Sequence, residues 1–282
     1  PAAKALFDKA AEILGYDLLE VCAEGPAEKL NSTVVSQPAI YVSSLAAVEV
    51  LRAQEGGQET IDSADVAAGL SLGEYTALAF AGAFSFEDGL KIVKARGEAM
   101  QAASDANPSG MVSVIGLDSE KTKALCEKAT ELAGEGKIEI ANYLCNGNYA
   151  CSGSIAARDK VCEIAKPEFK ARMTVPLAVA GAFHTEYMSP AVETLKEVLS
   201  STTFTTPRIP VISNVDAKPH SDPETIKSIL ATQVTSPVMW EESMQQLLGK
   251  GLEESYELGP GKVVAGIFKR IDKKAKVNNI TV

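Results

Sequence analysis

The sequence predicts an α/β protein in two parts: a large domain with a mainly parallel sheet, and a small α/β subdomain inserted into it. Three observations carry that prediction. Helical apolar spacing alternates with short apolar runs through residues 1–107 and again through 178–282. The turn Gly69-Leu70-Ser71-Leu72-Gly73 stands between one such run, Val66-Ala67-Ala68, and an Ala-rich helical stretch from Thr76. Strand, Gly-x-Ser-x-Gly and helix together make the nucleophile elbow of a hydrolase-like sheet. Residues 108–177 show the order strand, helix, strand, strand, helix, strand, which is the ferredoxin-like order.

Each element has a local cause. Leu6, Phe7, Ala10, Ile13 and Leu14 mark a first helix that ends near Gly15. Gly25-Pro26 breaks the chain, and Gln37-Pro38 opens a long apolar helix through Leu51 with proline in its first turn. Glu55 to Gln58 reads as a surface turn. The strand and elbow follow, and Gly82 to Ser85 end the elbow helix. Ser85 caps the next helix, with Asp88 three residues on. Asn107-Pro108-Ser109-Gly110 is a break, after which Met111–Ile115 alternates as a strand. A helix over 118–133 and two strands about the Asn146-Gly147 turn come next. A helix over 156–171, bent at Pro167, and a strand over 173–177 complete the inserted unit. Beyond it, helices are predicted from Thr185, Asp222 and Trp240. Strands are predicted at 210–213 and 255–258, and a last helix follows Gly259-Pro260-Gly261.

Composition narrows the function. With 46% hydrophobic residues in 282, a sizeable core is available. Twenty-seven basic against 37 acidic residues, a formal charge of −10, argue against nucleic acid as a partner. No apolar run reads as a bilayer span, which argues against a membrane as well, and Pro1-Ala2-Ala3-Lys4 is no signal peptide. Five cysteines at irregular spacing, with no Cys-x-x-Cys, read as free thiols and give no metal site.

The chemistry centres on Ser71. The flanking glycines are expected to relieve the crowding of the turn, Ser71 stands at the positive end of a helix, and the Leu72 N–H points where an oxyanion would form. A serine nucleophile needs a base, and there are only two histidines. His220 lies in a polar loop, Lys218-Pro219-His220-Ser221. His184, in Gly181-Ala182-Phe183-His184, follows an apolar stretch and is the candidate base, with a structural histidine as the alternative. A backbone carbonyl is enough to orient its ring. Arg96 sits among Val93 and Met100. It is either a structural arginine or a fork for a substrate carboxylate. Gly259-Pro260-Gly261-Lys262 lacks the phosphate-loop spacing and reads as a turn.

These residues stand in stretches that resemble one family across essentially the whole chain. The stretches are Ser36–Ala39, Gly69–Leu78, Lys94–Gln101, Gly181–His184, Pro210–Asn214, Gln233–Val238 and Glu257–Lys262. The family is the malonyl-CoA:acyl-carrier-protein transacylases of type II fatty acid synthesis, and the resemblance is strongest to the plastid enzymes of plants and green algae. It implies that Ser71 is acylated, that His184 is the base and that Arg96 holds the malonate carboxylate. It also implies that Gln233 accepts from His184 through its main-chain carbonyl, its side chain mattering little. Leu72 would supply one oxyanion N–H, and Phe183 would disfavour an α-methyl branch. The implied partners are malonyl-CoA and holo acyl carrier protein, with no metal or redox cofactor, in a monomer of the plastid stroma or, alternatively, the bacterial cytoplasm. Lys160, Lys166, Lys170 and Arg172 are candidates for a basic patch facing an acidic carrier. Two departures stand out: Leu70 where many members have histidine, and a start at Pro1 that falls after the family's first strand and Gly-Gln-Gly loop, whose later glutamine gives the second oxyanion N–H. A serine esterase or thioesterase with the same elbow, and a non-catalytic scaffold binding the carrier protein, are the alternative functions.

Overall fold

A computed structural model describes all 282 residues. Helix α1 (Ala2–Leu14) ends where Gly15 turns left-handed at φ 82. Two short helices, α2 (Leu18–Glu24) and α3 (Ala27–Asn31), follow where the sequence offered only a break; the Asp17 side chain caps the first by accepting from Glu20 N. Helix α4 (Thr33–Arg52) begins before Gln37, so Pro38 lies inside it rather than in its first turn. The cost is the one bond its missing N–H would have made.

By length and composition α4 is apolar enough to cross a bilayer, contrary to the sequence reading. It lies instead at the centre of the large core, with Tyr41, Val42 and Ala46 fully enclosed. A helix this apolar is covered on most of its surface, whether by lipid or, as here, by protein, and only Ile40 among its large apolar side chains stays exposed.

Helix α5 (Gly57–Asp62) replaces part of the expected surface turn, and β1 (Ala67–Ala68), α6 (Leu72–Phe80) and α7 (Phe86–Ala106) follow. Ser85 Oγ accepts from Asp88 N at 3.1 Å, capping α7. The inserted unit runs β2 (Ser109–Ile115), α8 (Ser119–Ala133), β3 (Ile138–Cys145), β4 (Asn148–Ser154), α9 (Ile155–Ile164) and β5 (Met173–Pro176). Helix α9 stops well short of residue 171, because the chain ahead of Pro167 is biased away from helix. Its strands pair in the order β3-β4-β2-β5, every pair antiparallel. Val112, Leu125, Cys151 and Val161 close its core with α8 and α9.

Beyond β5, Thr185 caps a 3-10 turn (Glu186–Met188) and α10 (Ser189–Ser201) begins only after it, with Pro190 in its first turn. Then come β6 (Val211–Ile212), β7 (Pro219–His220), α11 (Pro223–Gln233), α12 (Trp240–Gly249), β8 (Glu254–Leu258), α13 (Val263–Ile271) and β9 (Lys276–Ile280). The short strands β7 and β9 carry no alternating apolar pattern and were not anticipated.

The large domain's strands do not form one mainly parallel sheet. Strand β1 pairs in parallel with β6, β7 joins β6 antiparallel, and β8 and β9 form a separate parallel pair. The architecture is α/β with mixed sheets. Main-chain bonds at Val238 join the two parts: Tyr143 N donates to Val238 O and Val238 N to Ala141 O. All five cysteines are free. The Gly259–Lys262 turn leads into α13, whose first amides, Val264 and Ala265, donate to the Glu257 carboxylate at 3.0 and 2.9 Å. The protein's own carboxylate occupies that helix end.

Candidate active site

The elbow is built by close packing. A Cβ on Gly69 would collide with the Gly73 carbonyl and come within 2.6 Å of Glu74 N, so only glycine fits. Gly73 is different: a Cβ there meets nothing within 4 Å, so crowding explains one of the two glycines and not the other. Ser71 has φ 52 and ψ −106, a strained conformation for a side-chain-bearing residue. It stands at the N-terminus of α6. The N–H of Leu72, in that first turn, has no acceptor in the protein.

Two side chains hold the strained backbone. Asn214, just after β6, accepts from Ser71 N at 2.6 Å and donates to Gly69 O at 2.8 Å. Gln233, the last residue of α11, donates from Nε2 to Ser71 O at 3.1 Å.

The Ser71 hydroxyl lies 2.8 Å from His184 Nε2. His184 Nδ1 faces the main-chain oxygen of Gln233 at 2.9 Å. A carbonyl only accepts, so Nδ1 carries the proton and Nε2 is left to take one from Ser71. Gln233 can offer that carbonyl because the last carbonyls of a helix have no partner within it. His184 is 3% exposed and has φ 62. Burial, and then the neighbouring Arg96 cation, push its imidazole down to about 4. The bond to Gln233 O acts in the opposite direction and is outweighed. The ring is therefore neutral at cellular pH.

Arg96, on α7, points into the protein and is 1% exposed. Nη2 donates to Ser71 Oγ at 3.1 Å and to Gln233 Oε1 at 3.0 Å, and Nη1 donates to Gln37 Oε1 at 2.6 Å. Its plane lies over the Tyr75 ring, 5.2 Å from the centroid. All its hydrogen-bond partners are neutral, and its Nε–H is buried with no partner. Burial disfavours the charged form and lowers the guanidinium pKa, offset in part by Tyr75 and Glu74. A buried cation with spare donors beside a serine hydroxyl is equipped to receive an anion.

Sequence reasoning gave the Gln233 side chain little weight, and the structure corrects this. Its Oε1 serves Arg96, and its Nε2 serves both Ser71 O and Glu74 Oε2, the latter at 2.7 Å. Gln37, Glu74 and Asn214 were given no role, though each lies in a stretch that carries the resemblance. The available signal was a polar residue inside an apolar run, as at Gln37 in α4. Phe183, half-buried, packs with Met111, Ala141 and Ala150 of the inserted unit, beside His184. His220 makes no hydrogen bond to this network and faces Asp216 at 2.9 Å. Of the basic residues singled out, Lys160 pairs with Glu163 and Lys170 donates to the Pro167 carbonyl. No group of histidine, cysteine and carboxylate side chains is placed to hold a metal.

Comparison with known proteins identifies relatives of the chain. The acyl transferase domain model matches residues 2–277. The malonyl CoA-acyl carrier protein transacylase of Bacillus subtilis is 40% identical over 277 residues, 98% of this chain and 84% of that protein. The mitochondrial malonyl-CoA-acyl carrier protein transacylase of Mus musculus is 41% identical over 284 residues, 98% and 74% of the two chains. A malonyl-transacylase solved in complex with a type II PKS acyl-carrier protein superposes with a TM-score of 0.91 at 31% identity, covering 100% of this chain and 88% of that one.

Proposed function

The chain belongs to the malonyl-CoA:acyl-carrier-protein transacylase family of acyl transferase domains, and from that premise we propose that it carries malonate from malonyl-CoA to acyl carrier protein through an ester on Ser71. His184 Nε2 takes the hydroxyl proton as Ser71 Oγ attacks the thioester carbonyl. The Leu72 N–H stabilises the oxyanion, and CoA leaves as a thiol with the proton from His184. The phosphopantetheine thiol of the carrier then gives its proton to His184 and attacks the malonyl ester. Ser71 recovers its proton from His184 as the ester breaks. This role places the chain in fatty acid biosynthesis.

The observation that carries the malonyl reading is Arg96. Its guanidinium is buried, has neutral partners only and reaches Ser71 Oγ at 3.1 Å. It can hold the free carboxylate of an acyl group on Ser71 and so fix the ester for the incoming thiol. Intact mass after incubation with malonyl-CoA tests this. We expect a lasting malonyl adduct that leaves on addition of holo carrier protein. CoA release without an adduct would instead show a thioesterase.

A ferredoxin-like identity for residues 108–177 is supported by the strand order β3-β4-β2-β5 with two helices. A hydrolase-like large domain is supported by the elbow between β1 and α6. A plastid stromal site is supported by resemblance alone, including Leu70 before Ser71, whereas the relatives compared are bacterial and mitochondrial. Imaging a tagged protein in its source cell tests the compartment. Light scattering on the purified protein tests the monomer.

A further inference from the structure

Glu74 lies in the first turn of α6 and is 3% exposed. It makes no hydrogen bond to Ser71 Oγ or His184. Its Oε2 accepts from Asn214 N at 3.1 Å and from Gln233 Nε2 at 2.7 Å. These are the two residues that grip the Ser71 main chain. Asn214 Oδ1 takes the Ser71 N–H, and Gln233 Nε2 takes the Ser71 carbonyl. One carboxylate oxygen thus joins both jaws of a clamp around a residue whose φ of 52 would otherwise relax.

The amide orientations follow from this pin. Gln233 Nε2 faces two acceptors, so its Oε1 must face Arg96 Nη2. Asn214 Nδ2 faces the Gly69 carbonyl, so its Oδ1 faces the Ser71 amide. Fixing Gln233 also fixes the carbonyl that orients His184. The mechanism uses the products of this arrangement and does not use Glu74 itself.

We propose that Glu74 is a positioning residue whose ionised carboxylate pins Asn214 and Gln233, and through them sets the Ser71 main chain, the His184 tautomer and the Arg96 fork for acylation. The inference rests on the serine-nucleophile reading given above. The carboxylate's charge matters as well as its shape. An ionised oxygen accepts from both donors, whereas a protonated carboxyl must place a hydrogen on one oxygen and weakens the pin. Burial raises the Glu74 carboxyl to about 7, with Gln233, Asn214 and Arg96 opposing and Asp216 adding to the rise. The charged and titratable groups around it are Arg96 on α7, Tyr75 on α6, Asp216 after β6 and His220 on β7, the last lining the same small cavity of about 10 Å³ as Glu74. The Glu74 charge therefore changes within the working pH range, while His184 is already neutral there.

The test uses the whole protein and two readouts of acylation: labelling of Ser71 by a fluorophosphonate, which needs only an activated serine, and malonyl adduct formation from malonyl-CoA. Glu74→Ala should slow both by about 10²-fold, the scale of a small misplacement of reacting groups. Glu74→Gln keeps an acceptor oxygen at the pin without the charge, so it should recover only part of that loss, to about the rate of the wild type below pH 7. The wild type should gain labelling rate as pH rises through about 7, and Glu74→Gln should lose that limb. Equal rates in wild type and a folded Glu74→Ala would overturn the proposal. So would an unchanged pH limb in Glu74→Gln, which decides the matter even if Glu74→Ala does not fold. A wild type that labels with fluorophosphonate and takes no malonate would overturn the substrate reading and leave the clamp standing.

Discussion

The Ser71 site and the inserted unit are held together by opposite means. In the inserted unit, Val112, Leu125, Cys151 and Val161 are completely enclosed apolar side chains, and β3 and β4 are neighbours joined by a two-residue turn. Around Ser71, the enclosed groups are an arginine, a glutamate, a histidine, two glutamines and an asparagine, drawn from α4, α6, α7, α11 and two loops. Apolar burial tolerates small displacement because it has no direction. A buried polar network does not, because each unpaired group costs its full desolvation. The contrast teaches that apolar packing holds the inserted unit together while directed polar bonds set the geometry around Ser71, with Phe183 packed where the two regions meet.

The largest expected effect tests the geometric side. Arg96→Ala should lower malonyl transfer by about 10²–10³-fold while acetyl transfer falls far less, as measured by kcat/KM on the two CoA esters. Equal losses on both would show that Arg96 only supports the fold. On the other side of the contrast, Leu125→Ala removes a fully enclosed side chain from α8 and should cost about 3 kcal/mol in urea unfolding. Its kcat per folded molecule should stay near wild type, and a large drop would show that the two regions are more tightly coupled than their separate cores suggest.

The buried acid and base of the site make a smaller, signed prediction. Folded Glu74 keeps its proton to about 7 against an ordinary 4.5, so the folded state binds more protons in that window and its stability falls as pH rises. Folded His184 refuses a proton until about 4 against an ordinary 6.5, so stability falls as pH falls through that window. Where the windows overlap the two slopes oppose. Glu74→Gln should unmask a rise in stability with pH, and His184→Gln a fall, each up to about 1.4 kcal/mol per pH unit. Urea midpoints at several pH values read the signs, and matching slopes in the two variants would refute the assignment. The smallest effect lies at the seam between the regions: Phe183→Ala should raise use of methylmalonyl-CoA relative to malonyl-CoA by about tenfold, since one methyl is worth on the order of 1–3 kcal/mol. An unchanged ratio of the two kcat/KM values would remove Phe183 from substrate choice.

The sequence by itself determined the features that depend on neighbouring residues. Gly69 must be glycine because the turn closes on Gly73 and Glu74, Ser85 and Asp118 cap the helices they precede, and the strands of the inserted unit alternate with helices in a readable order. Ser71, His184 and Arg96 were legible because serine at an elbow, one histidine outside a polar loop and an arginine among apolar neighbours are each unusual locally. The tertiary structure alone decided what joins them. Arg96 and Gln37 are 59 residues apart, Ser71 and Asn214 143, and Glu74 and Gln233 159. No periodicity of a helix or strand spans such distances, and a buried amide or carboxylate shows its role only when its partners are in place. The same holds for α4, whose composition suits either lipid or a protein core, and for the sheet of β1, β6 and β7, whose two-residue ladders are too short to leave a pattern.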